Sequence, residues 1–144
     1  MTQVPEITIE IPSDGSQLSR VRTAVESFAS DHGFDETQIY HIKVAVSEAV
    51  ANAIEHGSPR GSANRVHIRL KDDGNKLVID VTDEGRFRAR LPTFQPGAGY
   101  RGRGLFLMSA LMDEVDIRET DEGTTLRLIK KREAAGLEEW ADIF

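Results

Sequence analysis

The chain has 144 residues, one domain's length, enough to hide roughly 68–70 % of its unfolded surface without disulfides or metals. Eighteen basic against twenty-four acidic side chains leave −6 and an isoelectric point near 5.2, which speaks against a nucleic-acid surface. The absence of cysteine excludes disulfides, zinc–thiolate sites and cysteine nucleophiles, and His32, His41, His56 and His67 lack paired metal-ligand spacing.

Met1 to Glu6 has neither a basic nor an apolar leader stretch, and no run approaches about 18 apolar residues. The expectation is a cytoplasmic domain with no membrane contact. Ile7, Ile9 and Ile11 alternate up to Pro12 and predict a short strand. Ser13–Ser16 is a turn, after which Leu18, Val21, Val25 and Phe28 recur at helical spacing until His32-Gly33. Asp35 and Gln38 have capping-box spacing and open a second helix that runs to His56-Gly57. A loop, Ser58–Ser62, leads to two alternating runs, Val66/Ile68/Leu70 and Leu77/Ile79/Val81. Asp72–Asn75 joins them as a hairpin.

Between Gly85 and Gly104 the pattern collapses into glycine and proline, and long irregular loops inside small domains are usually functional. A third helix is predicted over Leu105–Met112. Two strands follow, Val115–Arg118 and Thr124–Lys130, paired across Asp121–Gly123. The order β-α-α-β-β-loop-α-β-β predicts an α+β two-layer sandwich, a mixed, mostly antiparallel sheet with helices on one face. One domain is expected over 1–131. The extension 132–144 carries Leu137, Trp140 and Phe144 at the spacing of a short amphipathic helix.

The second helix is apolar or small almost all round, which marks a helix buried on most sides. Glu48 and Asn52 interrupt it at i,i+4 and share one stripe, with His56 a turn further on. Such a pair faces solvent, bonds neighbouring backbone, or serves chemistry, because an uncompensated buried carboxylate is costly. Asp83-Glu84-Gly85 follows the strand that ends at Thr82. By itself that is a turn, but an acceptor-only carboxylate beside a glycine also suits an amino group on a planar base. Gly102-Arg103-Gly104 stands before the third helix, where glycine N–H groups and the helix's positive end suit an anion. Gly97–Gly102 spells GxGxxG, yet no strand directly precedes it and only hairpin strands follow. A dinucleotide-binding βαβ unit is rejected.

In this order and approximate spacing, the pieces resemble the GHKL (Bergerat-fold) ATP-binding family over about residues 7–130. Glu48–Gly57 looks like its N box and Asp83-Glu84-Gly85 like its first glycine box. Gly102-Arg103-Gly104 looks like the second box, and Gly123-Thr124-Thr125 like the final threonine-bearing strand. Within the family the chain most resembles the bacterial anti-sigma-factor serine/threonine kinases of partner-switching systems. The single-domain length, Ser47–Gly57 and Gly102–Val115 carry that resemblance. No phospho-accepting histidine helix or receiver segment fits in this length, so a sensor histidine kinase is not expected. One departure is Arg86-Phe87, which stands where the family's DxGxG box has its second glycine.

The resemblance implies Mg²⁺ held by Asn52, with Glu48 orienting or deprotonating an attacking serine or threonine hydroxyl. Asp83 would accept the adenine amino group of ATP or ADP, supported by Thr124 or Thr125, with Gly85 leaving room for the base. Gly102, Arg103, Gly104 and Leu105 would cover the phosphates under a short lid, Arg86–Arg101, and His56 would sit at the edge. Two partners are implied, a sigma factor and a STAS-domain anti-anti-sigma protein. A homodimer is implied as well, with the Ile7/Ile9/Ile11 strand as its interface element. Two further readings use the same residues. One is a non-catalytic ATP-dependent binding switch, which keeps Asp83 and the glycines without needing Glu48. The other is a sibling kinase acting on a phosphatase pathway.

Overall fold

The alternating runs pair into one five-stranded sheet in the computed structural model, which describes residues 4–85 and 100–132. Strands β1 (Glu6–Pro12), β2 (Arg65–Asp72), β3 (Lys76–Asp83), β4 (Glu114–Thr120) and β5 (Gly123–Lys131) lie in the order β1-β2-β3-β5-β4. Helices α1 (Leu18–Asp31), α2 (Glu36–His56) and α3 (Tyr100–Leu111) form the second layer. The expected α+β sandwich is present. Its sheet, however, is wholly antiparallel among the described residues. The crossover through α3 brings β4 back in the direction of β3, but β5 inserts between them, so no parallel pair forms.

Each element follows from its sequence pattern. α1 turns Val21, Val25, Phe28 and Ala29 inward. α2 opens on the capping box: the Gln38 N–H donates to Asp35 Oδ1 at 2.8 Å, and the Asp35 N–H donates to Gln38 Oε1 at 3.2 Å. Such a cap is worth about 1 kcal/mol. α2 lies between α1 and α3 and also packs on the sheet, which accounts for its nearly continuous apolar composition. Ile42 and Val46 meet Ile11, Ile68, Leu70, Leu77, Ile79 and Leu128 from the strands in one core.

Two further expectations are corrected. α3 begins at Tyr100 rather than Leu105, so Gly102 and Gly104 lie inside it. Glycine costs only about 1 kcal/mol in a helix, and the buried Met108 anchors this one to the core. β1 is an edge strand, but Ile9 and Ile11 are buried in the core, and its outward row is Glu6, Thr8 and Glu10. A dimer using this edge would therefore meet backbone and those polar side chains, not the isoleucines. The lid, apart from Tyr100 and Arg101, and the extension from residue 133 onward lie outside the described residues. Among the described residues no helix is long and apolar enough to cross a membrane.

One polar cluster closes the end of the sheet formed by the β2–β3 turn. Asp72 is only 7 % exposed. Its Oδ2 accepts from Arg132 Nη2 at 2.6 Å and lies 2.9 Å from His32 Nδ1, while Oδ1 accepts from the Gly74 N–H at 2.9 Å. Arg132 also donates to the carbonyls of Gly74 and His32, and its guanidinium lies 4.8 Å from the Phe34 ring centroid. A single cation thus ties the end of β5 to the β2–β3 turn and to the corner between α1 and α2. Arg132→Ala leaves the Asp72 carboxylate buried without its main donor. Its unfolding free energy in urea should fall by about 1–3 kcal/mol, with native secondary structure retained before the transition.

Candidate functional site

At Gly104 the backbone of α3 comes up against two side chains of α2. A β-carbon built there would stand 3.2 Å from Asn52 Nδ2 and 3.4 Å from Glu48 Oε2. Both side chains of the i,i+4 pair are half-buried and point at the α3 backbone rather than into open solvent. The alternative in which this stripe simply faces water does not describe the structure.

Beside the pair lies a cavity with walls from five elements. α2 supplies Ala49, Asn52 and Ala53, β3 supplies Val81 and Asp83, and α3 supplies Leu105. Ile117 of β4 and Thr124 and Leu126 of β5 complete it. The walls are apolar and the polar groups few, as at sites for small organic ligands, and the space they enclose is about 30 Å³. Asp83 is 5 % exposed, and its Oδ1 accepts from the Gly85 N–H at 2.9 Å. Thr124 Oγ1 donates to the Gly85 carbonyl at 2.8 Å, so Gly85 is held from both sides. It also presses on the end of α2: a β-carbon on Gly85 would sit 2.7 Å from Gly57 Cα.

That end of α2 is itself fixed. Ser58 Oγ donates to the Ala53 carbonyl at 2.8 Å and meets the Ser13 hydroxyl, tying the helix to the end of β1. Glu84 takes part in the same corner. Its carboxylate accepts from the Arg65 N–H at 2.6 Å, which holds its pKa below the ordinary glutamate value.

The residues singled out from the sequence are distributed as follows. Glu48, Asn52 and Gly104 meet, and Asn52, Asp83, Leu105 and Thr124 share the cavity. Gly85 borders it through Asp83 and Thr124. Thr125 points to the opposite face of the sheet, where its hydroxyl lies 2.9 Å from that of Thr82. His56 ends α2 with Nε2 3.6 Å from Glu55 Oε2, and it is not among the residues that line the cavity. Gly102 and Arg103 lie in the first turns of α3, so the free N–H groups of its start lie upstream of Gly104.

Sequence reasoning missed the walls formed by Ala49, Ala53, Val81, Ile117 and Leu126. A signal existed for some of them. Thr124, Leu126 and Leu128 alternate, which assigns Thr124 and not Thr125 to the core face. As for a metal, no three His, Asp or Glu side chains cluster among the described residues. Glu48 and Asn52 offer oxygen donors of the kind Mg²⁺ takes, and Mg²⁺ commonly completes its shell with water and phosphate oxygens. The residues present fit that ion.

The fold is the α+β sandwich of GHKL-type ATPases. It superposes on the RsbU and RsbW domains of Rv1364c from Mycobacterium tuberculosis with a TM-score of 0.69 and 24 % identity, covering 88 % of this chain and 32 % of that longer one. Residues 11–130 match the histidine kinase-like ATPase domain, and the chain belongs to that family. The anti-sigma F factor of Bacillus subtilis is 32 % identical over 133 residues, 87 % of this chain and 91 % of that protein. That of Anoxybacillus flavithermus is 35 % identical over 126 residues, 82 % and 85 %. The serine-protein kinase RsbW of Bacillus velezensis is 29 % identical over 140 residues, 90 % and 87 %.

The two glycine contacts differ in what they meet, and substitution should separate them. Gly85→Ala drives a methyl group into Gly57 backbone, which cannot swing aside. It should lower the unfolding free energy by about 1–3 kcal/mol. Gly104→Ala meets only the ends of Glu48 and Asn52 and gains helix propensity, so its stability should stay within about 1 kcal/mol of the parent. Urea denaturation of both variants checks the order.

Proposed function

We propose that the chain is a Mg-ATP-dependent serine/threonine protein kinase of a partner-switching system. In this reading a cytoplasmic homodimer sequesters a sigma factor and phosphorylates a STAS-domain anti-anti-sigma protein. The observation that carries it is the convergence of Glu48 and Asn52 on Gly104, beside a cavity tipped by Asp83 and Thr124. The relatives named as serine-protein kinase and as anti-sigma factor, matched over most of their length, support the activity and the partners.

The roles follow from the chemistry of the groups. Asp83, oriented by the Gly85 N–H, accepts from the adenine amino group; guanine carries a carbonyl oxygen at that position and is disfavoured. The apolar walls hold the base, and Thr124 keeps the Gly85 backbone out of its way. Asn52 would hold Mg²⁺ through its amide oxygen, beside Glu48. When bound, that ion neutralises charge on the phosphates. Phosphoryl transfer needs mainly positioning and charge stabilisation, so few protein groups suffice. Glu48 takes the proton of the attacking serine or threonine hydroxyl. The new oxygen–phosphorus bond forms as the bond to the departing ADP oxygen breaks.

Two variants on one helix separate catalysis from binding. Glu48→Gln keeps the shape but removes the base, so its loss belongs to the transition state. Calorimetry should find its ATP affinity within a few-fold of the parent, while transfer from labelled ATP to the STAS partner drops by roughly 10²–10⁴. Asn52→Ala should lose Mg-ATP affinity and turnover together. Transfer by Glu48→Gln at the parent rate would make the non-catalytic switch the better account. In a separate titration, Asp83→Asn should bind ATP markedly more weakly, and the parent should prefer ATP to GTP.

A further inference from the structure

The face of the sheet away from the helices carries charged or hydroxyl side chains at almost every outward position of its strands. Val78 of β3 and Ile129 of β5 break that rule. They are paired directly across the two strands and are half-buried although no helix among the described residues covers them. Together they floor a groove of about 250 Å³. Around that floor stand Arg69, Lys71, Lys76 and Arg127 against Asp73 and Asp80, so cations outnumber carboxylates. Arg127 is committed to Asp80 through hydrogen bonds of 2.7 and 2.9 Å, but Lys71 and Lys76 have no carboxylate partner among the described residues. Such a groove suits a segment that is apolar on one side and acidic on the other.

The chain supplies one at the groove's own end. Lys131, the last residue of β5, is paired with Lys76 on the rim. Beyond Arg132 come Glu133, Glu138, Glu139 and Asp142, no basic residue, and Leu137, Trp140 and Phe144 at helical spacing. We propose that the segment 133–144 turns back over the outer face and occupies this groove. Its apolar side chains cover Val78 and Ile129, and its carboxylates meet Lys71 and Lys76.

The reach is adequate. From Lys131 back to Arg127 along β5 is about 13 Å, and eleven residues of helix span about 16 Å. Tethering favours this occupant over any free acidic peptide, because a short linker holds its segment at an effective concentration of the order of millimolar. The proposal uses the face opposite the nucleotide cavity and does not depend on the kinase reading.

Trp140 is the only tryptophan of the chain, so its fluorescence reports this contact alone. The test compares acrylamide quenching of the full chain with that of a synthetic peptide of residues 132–144. The expected result is quenching several-fold weaker in the chain, at a level independent of protein concentration. Ile129→Asp, and separately the double variant Lys71→Glu/Lys76→Glu, should raise it to the peptide's value while circular dichroism stays native. The charge-reversed pair replaces solvent-facing side chains only and decides the matter if Ile129→Asp fails to fold. Peptide-like quenching in the parent chain would overturn the proposal. So would protection that neither variant disturbs, which places the segment elsewhere, or protection lost on dilution, which assigns the contact to a second copy.

Discussion

Everything in the site depends on how closely the backbone of α3 can approach α2. Gly104 permits that approach, and its missing side chain is the space in which Glu48 and Asn52 end. Ala49 and Ala53 continue the small-residue surface of α2 along the cavity wall. A side chain at Gly104 would take up the space in which Glu48 and Asn52 end, so those two side chains would have to shift. The same logic holds at the other end of the cavity. Gly85 lies against Gly57, so the strand that carries Asp83 and the helix that carries Asn52 are fixed at van der Waals distance by two absent side chains. The Asp83 carboxylate and the Asn52 amide are thereby given a set spacing across the cavity.

The periodic elements were legible because each has one clear period. Val21/Val25/Phe28 and the Asp35–Gln38 box define the first two helices, and strict alternation defines β2 and β3. The start of α3 was not legible. Gly102 and Gly104 read as breakers in isolation, whereas Leu105, packed against the core, and the buried Met108 hold the helix together from outside it. The polar part of the site was legible through its order along the chain, since Glu48, Asn52 and Asp83 interrupt otherwise apolar segments. Its walls were not, because Ile117 and Leu126 reach the cavity only through strand pairing. The register that sets Thr124 directly opposite Asp83 is a tertiary fact. Alternation along β5 then sends Thr125 away from it. The burial of Ile9 and Ile11 has the same cause: an edge strand still turns one face to the core, so the apolar row of β1 was never free for a partner.

The domain divides its labour lengthwise. β3 runs from Lys76 to Asp83 and β5 from Gly123 to Lys131, so the two ends of the sheet are about 23 Å apart. At one end stand Asp72, Arg132 and His32, and nearby the buried Lys130 donates to the Leu111 carbonyl at 2.6 Å, capping α3. At the other stand Asp83, Gly85 and Thr124. α2 spans both. Its Gln38 side chain donates to the Lys131 carbonyl at 3.5 Å, and its terminal Gly57 meets Gly85. A helix of 21 residues is about 30 Å long, enough to join the two ends as a single strut. Polar groups at the first end are saturated by one another and tie four segments together. Those at the second end, Asp83 and Thr124, hold the Gly85 backbone from both sides and line the cavity. Stability and ligand chemistry thus draw on different residues of the same two strands, so a change at Arg132 can lower the first without moving Asp83.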